Sequence, residues 1–98
     1  MAKPRFSRSA KADLLNIGAY TLSRWSEDQA IRYIEGLEDC CRGLAHSPRL
    51  GRACDDIAPG LRRIEHGRHV IFYREDAKGV LVSRILHQRM LPSRWVDR

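Results

Sequence analysis

Apolar positions along this chain keep different spacings in different stretches, and the changes between them mark its elements. "KPRFS", residues 3–7, is short and extended, because Pro4 forbids a helix interior and Phe6 is its one large apolar residue. It reads as a first strand. From Ser9 the spacing turns helical. Ala10, Leu14, Ile17 and Thr21 form a stripe flanked by Tyr20 and Trp25, which predicts a helix over 9–25, with Ser9 as its N-cap and Asp13 near its positive start. "SEDQ", residues 26–29, is a capping box that opens a second helix at once. Ala30, Tyr33, Ile34, Leu37, Cys40, Cys41, Leu44 and Ala45 give that helix a broad apolar stripe, and Glu27, Asp28, Glu35, Glu38 and Asp39 give it an acidic outer side. "HSP" at 46–48 ends it, since the residue before proline avoids helical geometry.

Residues 48–60 have Pro and Gly near both ends and no period, so they read as the longest loop. Beyond them the period drops to two, over 61–66, 68–75 and 80–87, with Gly67 and "DAKG" (76–79) as connections. Such short connections require antiparallel pairing. The order is β-α-α-β-β-β: one α+β domain over 1–98, with a helical hairpin packed on a small, mainly antiparallel sheet.

Charge changes this picture. The net charge is +6, and residues 1–48 hold 7 Lys/Arg against 6 Asp/Glu while residues 49–98 hold 11 against 6. The basic half implies an acidic partner, nucleic acid or protein, and 15 of the 18 cations are Arg, which suits bidentate contacts. The apolar runs are too short to span a membrane, and the basic N-terminus has no apolar stretch behind it, so a cytoplasmic protein is expected. Three cysteines, Cys40, Cys41 and Cys54, fit a reducing compartment, and their spacing suggests no metal site. No cofactor motif is present. Cys54, in the loop, is expected to be the reactive thiol, and Cys40 and Cys41 to be partly buried.

Of the four histidines, His46 closes the second helix, His66 and His69 flank Gly67 and are expected to be solvated, and His87 ends the last strand. Cleaving RNA through its own 2′-hydroxyl needs a base, an acid and cations for the phosphorane. Arg62, Arg63, Arg68, Arg74 and Arg84 could be those cations, with Glu65 and His87 as base and acid. Strict alternation, however, puts Val80, Val82, Arg84 and Leu86 on one face and Leu81, Ser83, Ile85 and His87 on the other. Arg84 and His87 then diverge unless a bulge intervenes. Alternatively Arg84 sits in a partly buried ion pair and His87 hydrogen-bonds near the sheet end.

Taken together, "SRSAKADLLNIGAY", "LAHSPRLGR", "GLRRIEHGRHVIFYRE" and "VSRILHQRM" resemble the RelE/ParE superfamily of bacterial toxins. The likeness runs from Phe6 to about Met90. It is nearest the ParE branch, through Gly60, Arg62, Arg63, Gly67, His69, Ile71, Tyr73 and Arg74, then Val82, Arg84, Ile85, Leu86, His87 and Met90. This resemblance implies the toxin of a type II toxin–antitoxin pair that inhibits DNA gyrase and is neutralised in a hetero-oligomer by a small, acidic, ParD-like antitoxin. It implies no cofactor, no metal and no sequence-specific nucleic-acid binding. The alternative is a RelE-type, ribosome-dependent mRNA endoribonuclease acting through Arg68, Arg84 and His87. Against it, Gln88 follows His87, no Tyr occurs after Tyr73, and Lys3, Lys11 and Lys78 lie away from the expected sheet face. Expected antitoxin contacts are Leu15, Leu22, Trp25, Arg62 and Arg63. Expected target contacts are Arg89, Arg94 and Trp95, an exposed Arg/aromatic set of the kind that concentrates binding energy.

Overall fold

The computed structural model describes residues 2–96. In chain order its elements are β1 (Arg5–Phe6), α1 (Arg8–Arg24), α2 (Glu27–His46), β2 (Arg52–Ala53), β3 (Arg62–His66), β4 (His69–Asp76), β5 (Gly79–His87) and α3 (Pro92–Trp95). The strands form one mixed sheet in the order β1-β5-β4-β3-β2. All pairs are antiparallel except β1 with β5, which places the start of the chain beside its last strand.

The first helix begins a residue earlier than its spacing suggested, and Ser7 rather than Ser9 caps it. The Ser7 Oγ accepts from the Ala10 N–H at 3.0 Å and donates to the Ser83 carbonyl at 2.7 Å, so one hydroxyl starts α1 and fastens it to β5. Asp13 therefore lies beyond the first turn of α1, too far in to act on the positive helix end. The capping box of α2 forms as expected, with Ser26 Oγ accepting from the Gln29 N–H and Gln29 Oε1 from the Ser26 N–H.

The hairpin covers one sheet face, where Ile17, Leu37, Cys41 and Leu44 pack on Ile71, Tyr73, Val80, Val82 and Ile85. A second, smaller core lies on the opposite face. There the supposed loop folds back on itself, and Cys54, Ala58 and Leu61 pack with Val70, Phe72, Leu86 and Val96. Its turns are closed by the Cys54 N–H on the Leu61 carbonyl at 2.8 Å and by the Gly60 N–H on the Asp55 carboxylate at 2.8 Å. A strand of two residues, β2, had no readable period. The tail turn α3 returns the chain so that Val96 is buried.

Strict alternation fails on β5. Pairing runs from His69↔His87 to Phe72↔Arg84, then steps to Tyr73↔Val82, leaving Ser83 as an extra residue. A bulge of this kind re-aims the side chains beyond it. Val80 and Val82 face the hairpin before it, and Ile85 faces the hairpin after it, while Leu86 faces away. His87 is thereby carried to the hairpin side of the sheet.

Candidate functional site

Where the hairpin meets the β3–β4 turn lies a cavity of about 380 Å³. The last turns of α1 supply Tyr20, Thr21 and Arg24, and Trp25 follows them. Tyr33 enters from α2, Gly67, Arg68 and His69 from the turn and the start of β4, and His87 from the end of β5. Among the described residues no carboxylate lines it.

Tyr33 organises the floor. Its hydroxyl lies 2.6 Å from His69 Nδ1 and accepts from the Arg68 backbone N–H at 3.2 Å. Gly67 sits beneath the ring at φ +59°, and a Cβ there would come within 2.7 Å of the Tyr33 hydroxyl, so the position needs glycine twice over. His69 is half-buried, not solvated as its place beside a turn suggested. Burial first, then the neighbouring His87 and His66, push its pKa down to about 4. It is therefore neutral near pH 7, and its Nδ1 shares a hydrogen bond with the Tyr33 hydroxyl, which also reaches the His66 carbonyl at 3.4 Å. The His87 ring meets His69 edge-on at 5.5 Å, and its Nδ1 accepts from the Arg89 N–H at 3.2 Å. With Nδ1 accepting, the ring carries a proton on Nε2.

The three residues of the ribonuclease alternative do not come together. Arg68 and His87 share the cavity, but Arg84 does not line it. Arg84 instead makes the partly buried ion pair: its Nε and a terminal nitrogen each donate to Asp13 at 2.8 Å, and its other terminal nitrogen donates to the Trp95 carbonyl at 2.8 Å. Asp13 also accepts the Ile85 N–H at 2.9 Å, closing the strand edge that β1 is too short to cover. Glu65, the candidate base, is paired with Arg52 at 2.7 Å.

The expected antitoxin contacts divide among three places. Leu15, Gly18 and Leu22 follow one stripe of α1, and Leu22 lines an apolar groove between the helices with Ala30, Ile31 and Ile34. Glu27, Glu35 and Glu38 border that groove. Trp25 leaves the stripe because α1 ends at Arg24 and its own backbone is extended, which carries it to the cavity instead. Arg62 and Arg63 are neighbours on β3 and point to opposite sheet faces, Arg62 with Tyr73 on the hairpin side and Arg63 with Phe72 on the other. Arg62 Nε donates to the Gly51 carbonyl at 3.0 Å, and the Arg63 guanidinium rests 5.4 Å from the Phe72 ring centre. Of the expected target contacts, Arg89, Arg94 and Trp95 are exposed, and the Trp95 ring lies 5.6 Å from the Arg84 guanidinium.

Cys54 is buried, with its thiol donating to the Leu61 carbonyl at 3.4 Å, so the expectation of a reactive loop cysteine is wrong. The aperiodic loop hid its place in the second core. Burial raises the pKa of all three thiols, that of Cys41 to about 12. Cys40 is the partly accessible one. Among the described residues no group of His, Cys, Asp and Glu could hold a metal ion. Tyr20, Arg24, Tyr33 and His69 were not read as one site, although "HGRH" at 66–69 already placed two imidazoles beside a glycine turn.

Solved structures share this architecture. The chromosomal ParDE toxin–antitoxin system of P. aeruginosa superposes with a TM-score of 0.75 at 20% identity, over 89% of this chain and 96% of that one. The RelBE2 toxin–antitoxin complex of Mycobacterium tuberculosis gives 0.57 at 21% identity, over 88% and 96%. The fold is thus the one these toxin structures have in common. Residues 5–92 match the family described as the ParE toxin of the type II toxin–antitoxin system parDE. Toxin ParE1 of Mycobacterium tuberculosis is 45% identical over 85 residues, covering 86% of this chain and 87% of its own. Toxin ParE1 of Caulobacter vibrioides is 40% identical over 86 residues, covering 88% of each. The chain belongs to the ParE toxin family: it is a ParE-type toxin of a type II toxin–antitoxin system, and its partner is an antitoxin.

Proposed function

We propose that this toxin acts in the cytoplasm by inhibiting DNA gyrase, without nuclease activity of its own, and is held inactive by a ParD-like antitoxin. The observation that carries this reading is the state of Arg84. A guanidinium bound at 2.8 Å by both oxygens of Asp13 is not free to stabilise a phosphorane, so the ribonuclease alternative loses its central cation. The same contact supports a binding role for the tail. Arg84 ties down the Trp95 carbonyl and buried Val96 anchors the turn, so Arg94 and Trp95 are presented on a fixed element.

For the antitoxin, the groove between α1 and α2 suits the apolar face of a helix that folds on binding. Its acidic border at Glu27, Glu35 and Glu38 asks for basic flanks there. The antitoxin's acidic residues then belong on the sheet face opposite the hairpin, where Arg63 and Arg89 border one pocket.

The test compares Arg94→Ala combined with Trp95→Ala against His87→Ala. These substitutions leave Val96 in place. Each folded variant is assayed for gyrase-dependent DNA cleavage and for ribosome-dependent mRNA cleavage. The tail variant should lose gyrase poisoning while His87→Ala largely keeps it. Wild-type protein that cuts mRNA on ribosomes, loses this with His87→Ala and leaves gyrase untouched would sink the proposal.

A further inference from the structure

The cavity beside Tyr33 has no part in the gyrase proposal, yet its chemistry is specific. Trp25 is half-exposed and makes no ring or cation contact among the described residues. Arg68 gives its backbone N–H to Tyr33 and leaves its guanidinium without a partner among the described residues. Arg24 stands on the Tyr20 ring, 5.1 Å from its centre, which holds a second cation at the rim. The His87 Nε2–H adds a donor, because its Nδ1 already accepts the Arg89 N–H. A free indole face, two cations, an imidazole donor and, among the described residues, no carboxylate form a set that fits a flat aromatic group joined to an anion. The volume, about 380 Å³, falls within the range of small-molecule sites.

We propose that this cavity is a binding site for a nucleoside phosphate, with the base stacked on Trp25 and the phosphate held by Arg68 and Arg24. Stacking on an aromatic face tolerates every base, so the site selects nucleotides as a class without reading sequence. Charge-assisted contacts from guanidinium to phosphate supply the remaining affinity and make it depend on salt. The occupant is a free nucleotide or one nucleotide of a single strand, since both present the same base and phosphate.

Titration of the full chain with AMP tests this, read by tryptophan fluorescence in a Trp95→Phe background that leaves Trp25 as the one indole. Saturable quenching that weakens with added salt is expected. Arg68→Ala should weaken binding by about tenfold or more. Trp25→Ala, followed by calorimetry in the same background, should bind AMP no better than ribose 5-phosphate. Both positions are exposed, so the variants should fold, which circular dichroism checks. A single-stranded tetranucleotide binding at least about tenfold tighter than AMP marks a strand as the occupant. Equal or weaker binding marks a free nucleotide. Absence of saturable quenching at millimolar AMP, affinity unchanged in Arg68→Ala, or inorganic phosphate binding as tightly as AMP would each overturn the assignment.

Discussion

Asp13 and Arg84 join three parts of the chain through one ion pair: α1, the edge of β5 and the tail turn. Both side chains are mostly buried, at 11% and 19% exposure, so removing one charge strands the other in a poorly hydrated place. Asp13→Ala should therefore cost about 3 kcal/mol in urea unfolding. Arg84→Ala should add little to it, because the two act as a unit. His69 predicts a pH dependence. Its pKa is 6.5 when exposed and about 4 in the fold. Above pH 6.5 both states hold a neutral ring, and stability owes nothing to pH through this group. As the pH falls from 6.5 towards 4, the unfolded chain takes up a proton that the folded chain refuses, so stability drops, and the slope ends below that window. Urea midpoints measured across this range should fall less steeply in His69→Gln. At this scale the sequence was least informative. Burial of His69 depends on Tyr33, 36 residues earlier in the chain, and no local pattern reports that contact.

Elements were far easier to read. The period-two segments foreseen at 61–66, 68–75 and 80–87 occupy 62–66, 69–76 and 79–87, and the helices differ from expectation by about a residue at their ends. Periodicity works there because each segment is long enough to repeat its pattern against a buried face. It fails where an element is too short to repeat its period, as in β2 with two residues and α3 with four. It fails also at Ser83, where one extra residue exchanges the faces of β5. The parallel pairing of β1 with β5 was hidden for another reason, since its partners are some 76 residues apart in the chain. Tyr73 links two elements that periodicity treated separately. Its hydroxyl donates to the Pro48 carbonyl at 2.7 Å and accepts the Gly51 N–H at 2.9 Å, so β4 holds the segment that leads into β2. Tyr73→Phe keeps the ring and orphans both backbone groups. A loss of about 2 kcal/mol is expected, visible as a lower denaturation midpoint with unchanged slope.

Taken whole, the molecule carries opposite charge on different faces: carboxylates beside the helical groove, guanidinium groups across the sheet. An antitoxin that satisfies both must be polarised in the opposite sense. Its association should be fast at low salt and slow markedly as ionic strength rises, while dissociation changes much less. Stopped-flow mixing over a salt series measures both rates, and an association rate indifferent to salt would contradict the charge reading. Long separation between paired strands has one more result, in the order of events during synthesis. The ribosome makes β1 and α1 first, yet both are completed by β5, which pairs with β1, receives the Ser7 hydroxyl and supplies residues to each core. Until residues 79–87 emerge, the hairpin can meet only β3 and β4, and β1 and the Ser7 hydroxyl lack the strand that holds them. A growing chain is thus expected to complete its fold only late in translation, once the last strand has been made. A message cut or stalled ahead of that point yields fragments that lack the β5 residues of both cores, and such fragments should be degraded faster than the full chain.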